Sequence, residues 1–174
     1  MTANLDPTDC AHAGTAGHRG TAAPASAQRT APRGALYRYR ASGLCRDDAE
    51  KVEIAIANQR RVQNHIQGVH AAAMTLLAET ATGMVVGMNV RDDCLPLAKE
   101  LKVQFKRRTQ GDMRAVAHLS AQQRKLMQSQ DKGEVVVPVT VTDASGEQPI
   151  VCEFIWAWVP AKKSTVPNPA SVPA

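Results

Sequence analysis

Aromatic side chains are scarce, only 3% of the 174 residues. That scarcity argues against a nucleic-acid reader, which needs a stacking platform, and no recognition motif accompanies the positive charge. The net charge of +5 therefore speaks for solubility or for attraction of a smaller anionic ligand. Cysteines at metal-ligand spacing are also missing. Cys10, Cys45, Cys94 and Cys152 stand far apart and form no C-x-x-C pair, so neither a zinc site nor a disulfide framework is expected, and reduced thiols in a cytoplasmic protein are. No basic segment leads into an apolar one at the start, so no secretory signal is expected. Arg19, Arg29 and Arg33 lie among Ser, Thr and Ala as in a mitochondrial presequence, whereas Asp6 and Asp9 oppose that reading. The one apolar run long enough for a bilayer, Val69 to Val90, holds His70, Glu79, Asn89 and three threonines. It reads as core, with no membrane insertion.

What remains is enough for one domain. Residues 1 to 34 are rich in Ala, Thr, Gly and Pro, with Leu5 their only large apolar residue, and are expected to be disordered, as is the proline-rich tail 162 to 174. The domain expected between them spans 35 to 161. Val52, Ile54 and Ile56 alternate with Lys51 and Glu53, a half-buried strand. Further strands are expected through Leu101, Val103 and Phe105, from Met113 to Leu119, from Glu134 to Thr142, and from Gln148 to Val159. Ser120 with Gln123 resembles a capping box opening a short helix, and Asp143-Ala144-Ser145-Gly146 reads as a turn. One long helix, about 69 to 88, among four or five antiparallel strands is an α+β pattern. A single sheet wrapped around that helix leaves edges that need cover, which predicts a homodimer.

The helix carries the chemistry. Between Ile66 and Val90 the only formally charged side chain is Glu79. A helix without a polar face is buried, and a carboxylate on it resists ionisation unless hydrogen bonds compensate. Glu79 is thus either a satisfied core acid or a chemical group. Thr75 and Thr82, at i−4 and i+3, are placed to hydrogen-bond it in the first case. Free amides at the helix start, aided by the helix dipole, suit a developing oxyanion. Nine residues of helix rise about 13 Å, so Glu79 and the start of its own helix cannot serve one carbonyl. A site using both must be shared between subunits.

The pattern N-x-x-x-G-x-H-A-x-A-x-x-x-L-A-E from Asn64 to Glu79, followed by a strand and a basic x-G-D turn, resembles the hotdog-fold thioesterases, in particular the phenylacetyl-coenzyme A thioesterase type. The likeness runs over about residues 48 to 160 and includes the D-x-x-G hairpin at Asp143. It implies a hotdog fold and an acyl-coenzyme A thioester substrate. Glu79 would be general base or nucleophile, Asn64 would position the thioester or water, and the Ala71 amide would polarise the carbonyl. The binding set implied is Gly68, His70, Met74, Thr75, Thr82, Arg107 and Arg108. Plainer alternatives stand beside several of these: Asn64 is a turn residue, His70 orients the helix entrance, Met74 packs, and Lys106-Arg107-Arg108 is a solvated turn rather than a holder of coenzyme A phosphates. Two positions depart from the family. His70-Ala71-Ala72 stands where His-Gly-Gly is usual, and Ala98 stands where some members carry a polar residue that assists the water. No metal or separate cofactor is expected, since the coenzyme A moiety belongs to the substrate. Pairing of dimers into a tetramer stays open. The rival readings are a non-catalytic acyl-coenzyme A binder and, ranked lower for want of a His-Phe-Pro stretch, a hydratase.

Overall fold

A computed structural model describes residues 42–161. The expected disordered segments, 1–34 and 162–174, lie outside the described residues. Strands β1 (Ser42–Asp47) and β2 (Lys51–Ile56) precede a short 3-10 turn at Arg60–Val62 and helix α1 (Ala71–Gly87). Then come β3 (Cys94–Phe105), β4 (Met113–His118), helix α2 (Ala121–Ser129), β5 (Gly133–Val137), β6 (Val139–Asp143) and β7 (Ile150–Pro160). All strand pairings are antiparallel.

Hydrogen bonding divides the strands into two sets, ordered β1-β2-β4-β6 and β3-β7-β5. The expected single strand from Glu134 to Thr142 is in fact two, β5 and β6, with Pro138 alone between them. Proline has no N–H for the ladder. Its carbonyl still accepts from His118 N at 3.2 Å, so the chain stays against β4 while handing over from β7. The two sets are the halves of one wrap around α1, joined at this kink.

Alternation decides the buried face. Val52, Ile54 and Ile56 are all buried, with half-buried residues between them, and they pair in register with Ala117, Ala115 and Met113 of β4. The small alanines of β4 let α1 approach the sheet closely, where Leu77, Ala78, Ala81 and Val85 are wholly buried. On the last strand Phe154, Trp156 and Trp158 complete the core. Short helix α2 opens with the expected capping box, Ser120 and Gln123 satisfying each other's backbone.

The central helix is not buried all round, as its composition suggested. Ala72, Thr75, Leu76, Glu79 and Gly83 fall at helical spacing and are all partly or fully exposed, forming an open stripe. The edge strand β3 is open as well. Its register with β7 shifts between Ala98 and Glu100. Opposed residues of an antiparallel pair share a face. Leu101, Val103 and Phe105, opposite Phe154, Cys152 and Ile150, therefore look to the core side, while Leu95 and Leu97, opposite Val159 and Ala157, look outward. Leu101 and Phe105 stay 44% and 53% exposed on the core side, because α1 does not reach over them. No helix among the described residues is long and apolar enough to cross a membrane.

Candidate active site

The entrance to α1 is built by a tight loop. Gln63 and Val69 form a bridge, and Asn64 and Gly68 close the loop through Asn64 N–H donating to the Gly68 carbonyl at 2.9 Å. The Asn64 Oδ1 accepts from the amides of Ile66 at 3.0 Å and Gly68 at 3.1 Å. Gln67 takes a left-handed backbone, φ 62°, the conformation such a closure demands. Asn64 is therefore a turn residue through its oxygen, while its Nδ2 has no hydrogen-bond partner among the described residues and stays available as a donor. His70 caps the helix: its Nδ1 accepts from Ala72 N at 3.1 Å, which is the plainer of its two readings. The amide of Ala71 has no partner among the described residues, as a free first-turn donor must.

A cleft of about 360 Å³ opens beside this loop. Asn64, Gly68, Ala71 and Met74 line one wall, and residues 105–109 line the other. Thr109 joins the walls, and sequence reasoning passed over it. Its hydroxyl accepts from Val69 N at 3.0 Å and lies so near Gly68 that a Cβ there would sit 2.9 Å from it. Glycine at 68 is thus set by close approach. No local pattern marks Thr109, because its partners lie 40 residues away in the chain.

The two arginines of the basic run differ. Arg107 donates to the Asp143 carboxylate at 2.9 Å, to Ser145 Oγ at 2.7 Å and to the Arg108 carbonyl at 2.9 Å. Asp143, whose side chain is fully buried, also accepts from the amides of Gln110 at 2.8 Å and Ser145 at 3.0 Å and from the Ser145 hydroxyl at 2.6 Å. Burial pushes its pKa up, yet the Ser145 hydroxyl, those amides and Arg107 together hold it below the usual aspartate value. Arg107 is committed to fastening the basic turn to the β6–β7 hairpin. Arg108 is exposed beside the cleft, and its guanidinium has no partner among the described residues.

Glu79 does not line this cleft, nor do Thr75, Thr82 and His70. It lies further along α1, half-buried on the open stripe. Burial raises its pKa above the ordinary glutamate value, and a hydrogen bond from Thr80 offsets part of the rise. That hydroxyl donates to Glu79 Oε2 at 3.4 Å. Here the sequence expectation is corrected: neither Thr75 nor Thr82 bonds the carboxylate. Thr75 Oγ1 donates to the Ala71 carbonyl at 3.1 Å and Thr82 Oγ1 to the Glu79 carbonyl at 2.9 Å, since a threonine hydroxyl inside a helix finds a backbone oxygen one turn back before it finds a side chain. Wholly buried, Thr82 also accepts from Trp156 Nε1 at 3.0 Å. Among the described residues no three His, Cys, Asp or Glu side chains gather as a metal requires, and Cys94 and Cys152 are free thiols.

Comparison with known proteins follows the same lines. The family described as Domain of unknown function (DUF4442) matches residues 44–159. No curated protein matches. Among solved structures, a Pseudomonas aeruginosa protein described as a probable thioesterase superposes with a TM-score of 0.67 at 21% identity, over 74% of this chain and 89% of its own. A thioesterase family protein from Silicibacter pomeroyi gives 0.60 at 14% identity, over 74% and 92%. A Bacillus halodurans protein solved with coenzyme A gives 0.52 at 22%, over 62% and 66%. The fold, an antiparallel wrap around one long helix, is the hotdog fold.

Proposed function

Starting from the fact that this chain belongs to the DUF4442 family, we propose that it hydrolyses an acyl-coenzyme A thioester, with Glu79 as general base and the Ala71 amide as oxyanion donor. The observation that carries the reading is the half-buried Glu79, the one acid of an otherwise uncharged helix, with its pKa raised by burial. A base poised nearer neutrality takes a proton more effectively than an ordinary surface glutamate. The hotdog relatives described as thioesterases, and the one that holds coenzyme A, lend support.

In this reading the thioester carbonyl rests on the Ala71 amide at the positive end of α1. The Asn64 Nδ2 donor orients carbonyl or water. Water adds through oxygen to the acyl carbon as its proton passes to Glu79. The carbon–sulfur bond then breaks, and the proton leaves on the thiol of coenzyme A. Acid and thiol are the products, and no cofactor beyond the substrate's own coenzyme A takes part. Arg108 is the free cation for the anionic part of the substrate.

Glu79 and the Ala71 amide are about 12 Å apart along one helix. The complete site therefore combines the cleft of one subunit with Glu79 of another. Open β3, with Leu101 and Phe105 bare on the core side, is the edge that pairs the two chains, and a two-fold axis gives two equivalent sites.

The test is a panel of acyl-coenzyme A substrates assayed for free thiol, with Glu79→Gln beside the natural chain. Glutamine keeps the size and loses the base, so turnover should fall roughly 100-fold or more while coenzyme A binding persists. Equal turnover in both would remove Glu79 from the mechanism. Binding without turnover in the natural chain would favour the non-catalytic binder, the reading that Ala71, Ala72 and Ala98 support.

A further inference from the structure

We propose that Thr82 and Trp156 are positioning residues for Glu79: a hydrogen-bonded chain from β7 fixes the rotation of the helix turn that presents the carboxylate. The inference rests on the catalytic reading of Glu79 and adds to it two residues that never touch substrate.

Three observations meet at this turn. Trp156 Nε1 donates to Thr82 Oγ1 at 3.0 Å. With its oxygen thus engaged, the hydroxyl points its own hydrogen at the Glu79 carbonyl, 2.9 Å away. Beside it, a Cβ on Gly83 would lie 2.8 Å from Trp156 Cη2 and 3.0 Å from Cζ2, so the indole rests directly on the helix backbone. Glu79, Thr82 and Gly83 stand at i, i+3 and i+4 and share one face of α1. The sheet therefore grips the helix at the border of the open stripe that carries the acid.

Stability alone does not call for this arrangement. A buried hydrogen bond contributes little net, and replacing both partners by apolar groups of like shape is close to neutral. Valine matches threonine in size, and phenylalanine keeps an apolar ring at 156 while giving up the indole ring that rests on Gly83. What they would lose is direction. Packing tolerates rotation of a smooth helix, whereas two hydrogen bonds in series do not. Trp156 is itself well placed as an anchor, in mid-strand between Ala98 of β3 and Val135 of β5. Catalysis is sensitive to this kind of constraint, since a displacement of about 1 Å at the reacting groups costs up to 100-fold.

The experiment compares Thr82→Val, Thr82→Ser and Trp156→Phe in the full chain, singly and with Thr82→Val and Trp156→Phe combined. Thr82→Val and Trp156→Phe should each lower kcat roughly tenfold or more, with KM within about twofold, and should lower Tm, because each leaves a buried partner unsatisfied. The double variant should lose no more than the worse single one, because both break one chain of bonds. Thr82→Ser keeps the hydroxyl and should keep the rate. Natural kcat in Thr82→Val, losses that multiply in the double variant, or a serine variant as slow as the valine one would overturn the proposal. A second readout does not need turnover. In a carbon-13 titration of the Glu79 carboxyl, the midpoint should differ between the natural chain and Thr82→Val or, if that variant does not fold, Trp156→Phe. A coincident midpoint would refute positioning. A moved midpoint in a chain that cleaves no thioester would sustain the positioning and defeat the hydrolase reading.

Discussion

Two inactive subunits should make one active site. Asn64→Asp keeps the oxygen that holds the Ile66 and Gly68 amides and removes the free amide donor facing the cleft. Glu79→Gln removes the base. Each homodimer then carries the same defect in both sites. In a heterodimer with shared sites, one site receives both defects and the other receives neither, so about half of the natural turnover per dimer returns. That the site is shared follows from the separation of about 12 Å between Ala71 and Glu79 along α1 and from the absence of Glu79 from the cleft lining. If one chain supplied both groups, every site in the heterodimer would hold one defect and nothing would return. Co-expression of the two variants with different affinity tags, followed by purification over both tags, isolates the mixed dimer for the thiol-release assay. A mixed dimer confirmed by mass and as inactive as its parents would refute the shared site, and so would an active monomer.

Glu79→Gln should also raise thermal stability at neutral pH. A carboxyl with a raised folded pKa contributes most below its unfolded value and loses that contribution as pH rises through the folded one. The melting temperatures of variant and natural chain should part as pH climbs above the ordinary glutamate value of 4.5, and parallel curves would contradict the burial argument. Asp143→Ala should cost about 3 kcal/mol, because it strands Arg107 and two backbone amides. In the natural chain the contribution of Asp143, whose folded pKa is lowered, is present above the ordinary aspartate value and lost as pH falls through the folded one. Denaturant titrations at neutral and acid pH check both statements. Leu101→Lys places a charge on the bare core-side edge of β3 and should shift the protein to monomer in gel filtration with loss of turnover; a stable active dimer would mean that β3 is not the pairing edge.

Periodicity made the centre of the fold legible. Strands β2 and β4 each bury alternate residues, and a single side-chain period describes each; helix α1 was legible as an element from its apolar run, but its open stripe was not. Strand β1, whose sequence Ser42-Gly43-Leu44-Cys45-Arg46-Asp47 has no alternation, was not foreseen; among the described residues it is an edge held by β2 alone. In β3 the apolar residues 95, 97, 101, 103 and 105 are all odd-numbered, which reads as one face. The bulge at Ala98–Glu100 changes the phase between them, and sequence does not announce a bulge. Pro96 masked the first half of that strand, although an edge tolerates proline. Glu79 stood out because it breaks an uncharged run. Thr109, Asp143 and Trp156 stayed hidden as site-builders because their partners lie 33 to 74 residues away, beyond any local pattern.

In the proposed dimer the bulge in β3 also governs how far assembly can run. A straight edge of 12 residues with apolar side chains would be a template for any extended chain, and so a seed for fibres. Here the phase break sets Leu95 and Leu97 on one side and Leu101 and Phe105 on the other. An incoming strand matches both only if it carries the same break at the mirrored place. A second copy running antiparallel meets that condition, and a stray peptide in a crowded cell does not. Once two such edges have joined, neither remains for a third chain, and growth along that edge ends at two.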